Sequence, residues 1–149
     1  MSAAVKTVAI LAATPALSAI LAAALAANPL LRVREFETGK ALRTYMRIAP
    51  VDLLVSDYDN ADDRADTLAQ SLRHDTALER RNFQIIALSR SVEAVARSGP
   101  AGAAIDEVIL KPMSPMYLVE RVLSRLRKRP KMRLTPRVLP DNVVQLFPG

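Results

Sequence analysis

The chain has 149 residues, a length that suits a single domain with its own hydrophobic core. It contains no cysteine, which excludes disulfides, thiolate metal sites and cysteine nucleophiles, and its single histidine, His74, excludes a multi-histidine metal centre. The net charge is +6, but residues 1–124 hold 14 of the 21 Lys+Arg and 14 of the 15 Asp+Glu, so the positive excess lies in residues 125–149.

The start of the chain carries no charged residue from position 7 to position 31. A cleaved signal peptide is one interpretation, because LAAALAAN (21–28) offers a small-residue cleavage site. A membrane span is disfavoured, since prolines and polar residues interrupt the run. We favour a buried strand followed by a helix, because Thr14-Pro15 has the cap-plus-proline pattern of a helix start.

Strand-like and helix-like runs then alternate along the chain. Short apolar or alternating runs predict strands at 8–12, 31–37, 52–57, 84–89 and 107–111. Helical spacing of apolar residues predicts helices at 15–27, 39–48, 63–73, 91–99 and 115–128. In the first helix we expect one inward stripe, formed by Leu17, Ile20, Leu21 and Leu25. The alternation indicates an α/β fold, with a parallel sheet between two layers of helices.

Three polar side chains end or follow predicted strands: Asp57, Ser89 and Lys111. Because the carboxyl ends of parallel strands share one edge of the sheet, we expect these side chains to lie close together. A carboxylate can attack an activated phosphoryl group, while an ammonium and a hydroxyl stabilise the phosphoryl oxygens. The residues alone leave simpler roles open, since Asp57 could cap a strand end and Ser89 could cap the next helix.

Taken together, these segments resemble the receiver domain of bacterial two-component response regulators. The resemblance covers residues 5–128 and rests on VDLLVSD (51–57), IIALS (85–89) and AIDEVILKPMSP (104–115), in that order. It implies a flavodoxin-like (βα)5 sandwich of three layers, with a five-stranded parallel sheet in strand order 2-1-3-4-5. It also divides the chain into a receiver domain, 1–128, and a basic, proline-containing tail, 129–149.

The resemblance further implies roles for residues and partners. Asp57 is expected to be the phosphoacceptor, Ser89 the switch hydroxyl and Lys111 its cationic partner, with a cis peptide bond before Pro112. The protein is expected to be a stand-alone, cytoplasmic signalling domain and not an enzyme. Its expected partner is a sensor histidine kinase or another signalling protein, contacted through the fourth helix, fifth strand and fifth helix, and a homodimer is plausible.

One departure from the family pattern concerns the metal. Ala12 and Ala13 stand where family members place two acidic residues that hold Mg²⁺, and methyl groups offer no oxygen ligand. We therefore expect Mg²⁺ binding to be weak or lost, no other cofactor, and slow or absent phosphorylation of Asp57. Asp59 is the acidic neighbour that could supply a substitute ligand. Without the metal, Lys111 is the expected charge partner of Asp57.

Other functions stay open. The nearest alternative is a working phosphoacceptor, Asp57, with an unusual metal site. A flavin- or nucleotide-binding enzyme of the same architecture would need a phosphate loop after the first strand, where AATPAL (12–17) offers only Thr14. Nucleic-acid binding through the tail is disfavoured, because the tail has no aromatic interleaving. The apolar string VVQLF (143–147) could dock on the domain or on a partner.

Overall fold

A computed structural model describes residues 4–91 and 102–127, together with Glu93, Ala96 and Gly99. Five parallel strands form one sheet in the order β2-β1-β3-β4-β5, which confirms the predicted fold class and strand order. The strands are β1 (Lys6–Leu11), β2 (Leu31–Glu35), β3 (Leu53–Asp57), β4 (Gln84–Ser89) and β5 (Glu107–Leu110). The α-helices among the described residues are α1 (Pro15–Ala26), α2 (Gly39–Ile48), α3 (Ala65–Arg73) and α4 (Pro115–Arg127).

Parts of the prediction lie outside the described residues. In the predicted helix at 91–99, Glu93 and Ala96 are helical and most neighbouring residues are not described. The predicted domain boundary at 128 and the tail, 129–149, also lie outside the described range. Within that range, no helix is long and apolar enough to cross a membrane.

The sheet is covered on both faces, which explains why its central strands are apolar without alternation. Every residue of β3 and β4 is buried. One core lies between the sheet and the pair α2 and α3, and includes Leu42, Met46 and Leu72. The other lies between the sheet and the pair α1 and α4, and includes Leu25 and Val122. The two cores fix the sheet rigidly, so the loops that follow its strands are held at a common edge.

Threonine caps begin two of the helices, as the sequence pattern indicated for the first. The Thr14 hydroxyl accepts a hydrogen bond from the Leu17 amide at 3.1 Å, and Pro15 occupies the first turn of α1. The Thr38 hydroxyl accepts one from the Ala41 amide at 3.0 Å at the start of α2. These caps satisfy amides that have no partner within the helix. The first cap also sets the path of the chain immediately after β1.

The predicted inward stripe of α1 is wrong at one position. The helix buries Ser18, Leu21, Ala22 and Leu25, whereas Ile20 is 54% exposed. The Ser18 hydroxyl is satisfied inside by donating to the Glu35 carboxylate at 2.8 Å. Because α1 carries no charged residue and is apolar apart from Ser18, its hydrophobic pattern does not mark which face turns inward. A serine with a partner therefore lies inside while an isoleucine lies outside.

Candidate functional site

Asp57 ends β3 in the middle of the sheet and is completely buried. Its carboxylate accepts four hydrogen bonds. Oδ1 accepts from the Asp59 amide at 2.9 Å and from Lys111 Nζ at 2.9 Å. Oδ2 accepts from the Ala13 amide at 3.0 Å and from Lys111 Nζ at 3.0 Å. A carboxylate offers about four lone-pair sites, so the hydrogen-bonding capacity of Asp57 is fully used.

Lys111 follows β5 and joins two carboxylates. Its ammonium lies 2.9 Å from Oδ1 of Asp57 and 2.9 Å from Oδ2 of Asp59. Burial favours the neutral amine, but hydrogen bonds and charge attraction from Asp59 and Asp57 outweigh it and raise the pKa of Lys111. The lysine is therefore a fixed positive charge between the two acids. The structure places Asp57 and Lys111 in direct contact, as the sequence argument expected.

Asp59 belongs to this network as an ion-pair partner. Besides Lys111, its Oδ2 accepts a hydrogen bond from the Arg90 amide at 3.2 Å and lies 3.5 Å from Arg90 Nε. Arg90 follows β4, so Asp59 ties three loops together. Sequence reasoning identified Asp59 as a candidate metal ligand and did not single out Arg90. Arg90 directly follows Ser89, the last residue of β4, and this position at the carboxyl end of a strand could have marked it as a site residue.

The Ser89 hydroxyl is buried and engaged locally. It donates to the Ser91 carbonyl at 2.9 Å and accepts from the Ser91 amide at 3.0 Å. Both of these bonds stay within the loop after β4, and among the described contacts none joins this hydroxyl to Asp57 or Lys111. Ser89 thus lies at the same sheet edge, and its hydroxyl bonds to the backbone of Ser91, two residues further along the chain.

The Lys111–Pro112 peptide bond is cis, at the position where the resemblance implied one. The Lys111 amide also donates to the Ser89 carbonyl at 2.9 Å, which continues the β4–β5 pairing up to the proline. This hydrogen bond holds the backbone of Lys111 beside the end of β4. The Lys111 side chain reaches the end of β3, where it contacts Asp57.

The side chains around Asp57 offer few free oxygen ligands for a magnesium ion. Mg²⁺ requires oxygen ligands in near-octahedral geometry. Ala12 and Ala13 contribute no side-chain oxygen, and both Asp57 and Asp59 are bound to Lys111. Within the described part of the chain, no three Asp, Glu or His side chains lie together as a metal ligand set would. The ammonium of Lys111 supplies the positive charge that binds these two carboxylates.

An open pocket of about 520 Å³ lies beside this ion pair. Its lining combines charged groups with apolar side chains: Ala13, Leu17, Asp59, Arg90, Lys111, Pro112 and Met113. Asp59 and Lys111 line the pocket, whereas Asp57 does not line it and is completely buried.

Several solved structures with the same fold are named as response regulators or their receiver domains. A response regulator from Thermotoga maritima is 22% identical over 83% of this chain and 99% of its own, with a TM-score of 0.68. The receiver domain of Francisella response regulator 1452 is 19% identical over 82% and 97%, with a TM-score of 0.69. A CheY-like receiver domain from Methylobacillus flagellatus is 16% identical over 82% and 99%, with a TM-score of 0.69.

The chain has the receiver-domain fold. The resemblance seen in the sequence is confirmed at that level. No protein-family model matches the sequence, and no curated protein matches it significantly.

Proposed function

We propose that this chain is a divergent response-regulator receiver domain that signals through protein contact, with Mg²⁺-dependent phosphorylation of Asp57 weak or lost. The shared fold supports a role in two-component signalling, and the poor ligand set beside Asp57 supports the loss of phosphorylation. The partner would be a sensor histidine kinase or another signalling protein in the cytoplasm. In this proposal the domain holds one conformation constitutively and does not act as an enzyme.

The observation that carries the proposal is the saturated carboxylate of Asp57. Attack on a phosphoryl group requires a lone pair on one carboxylate oxygen. Each carboxylate oxygen of Asp57 already accepts one hydrogen bond from a backbone amide and one from the Lys111 ammonium. Freeing a lone pair would separate two opposite charges in a buried site, which costs several kcal/mol. No side-chain oxygen from Ala12 or Ala13 brings in a second cation to offset that cost.

The test is incubation of the purified chain with acetyl phosphate, with and without Mg²⁺, followed by intact-mass measurement. We expect no adduct, or one that forms slowly and is independent of Mg²⁺. Asp57→Asn is the matched control, because asparagine keeps the size of the side chain and removes the nucleophile. A rapid, Mg²⁺-dependent single-phosphate adduct that disappears in Asp57→Asn would refute the proposal.

One observation favours a second candidate function, a working phosphoacceptor. The carboxylates of Asp57 and Asp59 converge on one ammonium, so a divalent cation that displaced Lys111 would meet two oxygen ligands. This candidate predicts an adduct that needs Mg²⁺ and that Asp59→Asn abolishes. If phosphorylation occurs and is unchanged in Asp59→Asn, this metal site is excluded.

A further inference from the structure

The exposed side of α1 is apolar to an unusual degree for a surface helix. We define the outer α1 face as Ile20, Ala23, Ala27 and Leu30. Ile20 is 54% exposed, Leu30 is 45% exposed, and both alanines are exposed. No residue from 7 to 31 is charged, so no charge interrupts this face. A helix that is apolar all round is normally covered on every side.

The apolar surface continues past the end of the helix toward the bottom of the sheet. The Leu30 carbonyl accepts a hydrogen bond from the Lys6 amide at 2.9 Å, which brings the start of β1 alongside. Val5, the residue before β1, is 50% exposed. The outer α1 face therefore extends from the middle of α1 to the amino-terminal edge of the sheet.

The C-terminal segment of the chain starts close to this surface. Helix α4 packs beside α1, since Leu21 and Leu25 share a core with Leu118 and Val122. Both helices follow parallel strands and cover the same face of the sheet, so both run back toward its amino-terminal edge. Arg127, the last described residue of α4, therefore lies at the same end of the molecule as Leu30. Residues 128–149 continue from that point.

We infer that the apolar string 143–147 (VVQLF) docks on the outer α1 face of the same molecule. The string is uncharged and includes two valines, a leucine and a phenylalanine. It thus matches a face that has no charge of either sign and offers only aliphatic side chains. Leu146 and Phe147 would lie against Ile20 and Leu30. This inference concerns a surface away from the phosphoacceptor and is independent of the function proposed above.

The chain is long enough to make this contact. Residues 128–142 form a connection of about 15 residues, which can span about 50 Å when extended. Helix α1 is about 18 Å long, at about 1.5 Å per residue. A connection of this length keeps the string at an effective concentration of the order of millimolar near α1. A separate molecule with the same string would reach that concentration only in a very concentrated solution, which favours the chain's own segment over a second copy.

A single spin label in the full-length chain tests the contact. The chain has no cysteine, so Gln145→Cys gives a single attachment site for a nitroxide, and no native cysteine has to be replaced. In ¹H–¹⁵N NMR spectra, we expect the amide signals of Ile20, Ala23 and Leu30 to lose most of their intensity beside the label. The signal of Ile48, on the exposed side of α2, should keep its intensity. Unchanged intensities on α1 would overturn the inference.

A further measurement distinguishes the two possible occupants of the outer α1 face, the chain's own C-terminal string and the string of a second copy. Mixing ¹⁵N-labelled chain with unlabelled, spin-labelled chain reports contacts between molecules, and we expect no loss of α1 signals there. Loss in that mixture would mean that the string docks on a second copy, which contradicts the inference.

A matched pair of isoleucine variants provides the control. Ile20→Glu places a charge on the outer α1 face, and should restore the α1 signals in the spin-labelled chain. Ile48→Glu makes the same change at a side chain that is 78% exposed on α2, and should leave the pattern unchanged. If Ile20→Glu keeps the broadening on α1, the face is not the docking site.

Discussion

The ammonium of Lys111 lies 2.9 Å from a carboxylate oxygen of Asp57 and 2.9 Å from one of Asp59. One lysine thus forms ion pairs with two acids, and Asp57 is completely buried. We expect Lys111→Met to lower the free energy of unfolding by about 3–5 kcal/mol, because it leaves a buried charge without a partner. Urea denaturation followed by circular dichroism measures this change.

A second substitution distinguishes the effect of the unpaired Asp57 charge from the effect of altered packing at Lys111. Asp57→Asn in the Lys111→Met background removes the unpaired charge, so the double variant should be more stable than Lys111→Met alone. Lys40→Met, at an exposed position of α2, is the control for lysine removal in general. The idea fails if Lys111→Met and Lys40→Met unfold at the same urea concentration.

Returning an acid to the end of β1 should create magnesium affinity. Ala13 is exposed and its amide lies 3.0 Å from Asp57 Oδ2, so Ala13→Asp can be accommodated beside two existing carboxylates. We expect Ala13→Asp to bind Mg²⁺ more tightly than the wild type, and to gain a Mg²⁺-dependent adduct with acetyl phosphate. Isothermal titration calorimetry and intact-mass measurement report the two effects.

The control for that experiment is Ala23→Asp, which adds the same charge at an exposed position of α1 away from Asp57. It should change neither Mg²⁺ affinity nor phosphorylation. Equal Mg²⁺ affinity in the two variants would show that net charge, and not ligand geometry, determines binding.

The sheet and the Asp57–Lys111 ion pair could be predicted because they follow from the hydrophobic pattern and from the geometry of parallel strands. Unbroken apolar runs marked β3 and β4, and predicted strand ends agree with the structure to within two residues in all five strands. Parallel strands bring their carboxyl ends to one edge, which placed Asp57 near Lys111 across 54 positions of sequence. No other knowledge of side-chain packing was needed for that step.

The directions of short polar side chains could not be predicted in the same way. Asp59 could have faced solvent, a metal or a cation, and only the positions of Lys111 and Arg90 decide between them. The Ser89 hydroxyl bonds to the backbone of Ser91, and such local hydrogen bonds compete with contacts to residues distant in sequence. For Ile20, a helix without charged residues, whose one polar side chain, Ser18, is buried, gives the sequence no reference for its inner face.

Glu107 makes the stability of the fold sensitive to acid. Its carboxylate accepts hydrogen bonds from Arg121 at 2.7 Å and from Arg125 at 2.7 Å. Burial opposes ionisation, but the two guanidinium groups outweigh it and lower the pKa of Glu107 below 4.5. Because the pKa is lower in the folded state, the ionised pair stabilises the protein above about pH 4.5, and the contribution is lost as the pH falls through the folded value.

We therefore expect Glu107→Gln to lower Tm at neutral pH and to reduce the decline of Tm on acidification. Thermal unfolding by circular dichroism between about pH 7 and pH 3 measures both effects. Glu120→Gln, at an exposed position of α4, removes the same charge without these arginine contacts and should match the wild type. An acid transition of the same steepness in Glu107→Gln and in the wild type would contradict this role.

The start of α2 couples a glycine to an aspartate from another loop. The Gly39 amide donates to Asp63 Oδ2 at 2.9 Å, and a Cβ on Gly39 would lie 2.5 Å from Asp63 Oδ1. Gly39→Ala therefore forces the carboxylate away and loses a hydrogen bond worth about 1 kcal/mol, which offsets a gain of roughly 0.5–1 kcal/mol in helix propensity. In an Asp63→Ala background the carboxylate is gone and the closest remaining atom is Leu68 Cδ1, 3.2 Å from that Cβ at the end of a flexible side chain, so Gly39→Ala should be more favourable there than in the wild type. Urea denaturation of the two single variants and the double variant gives the coupling energy, and additivity within about 0.3–0.5 kcal/mol would rule the contact out.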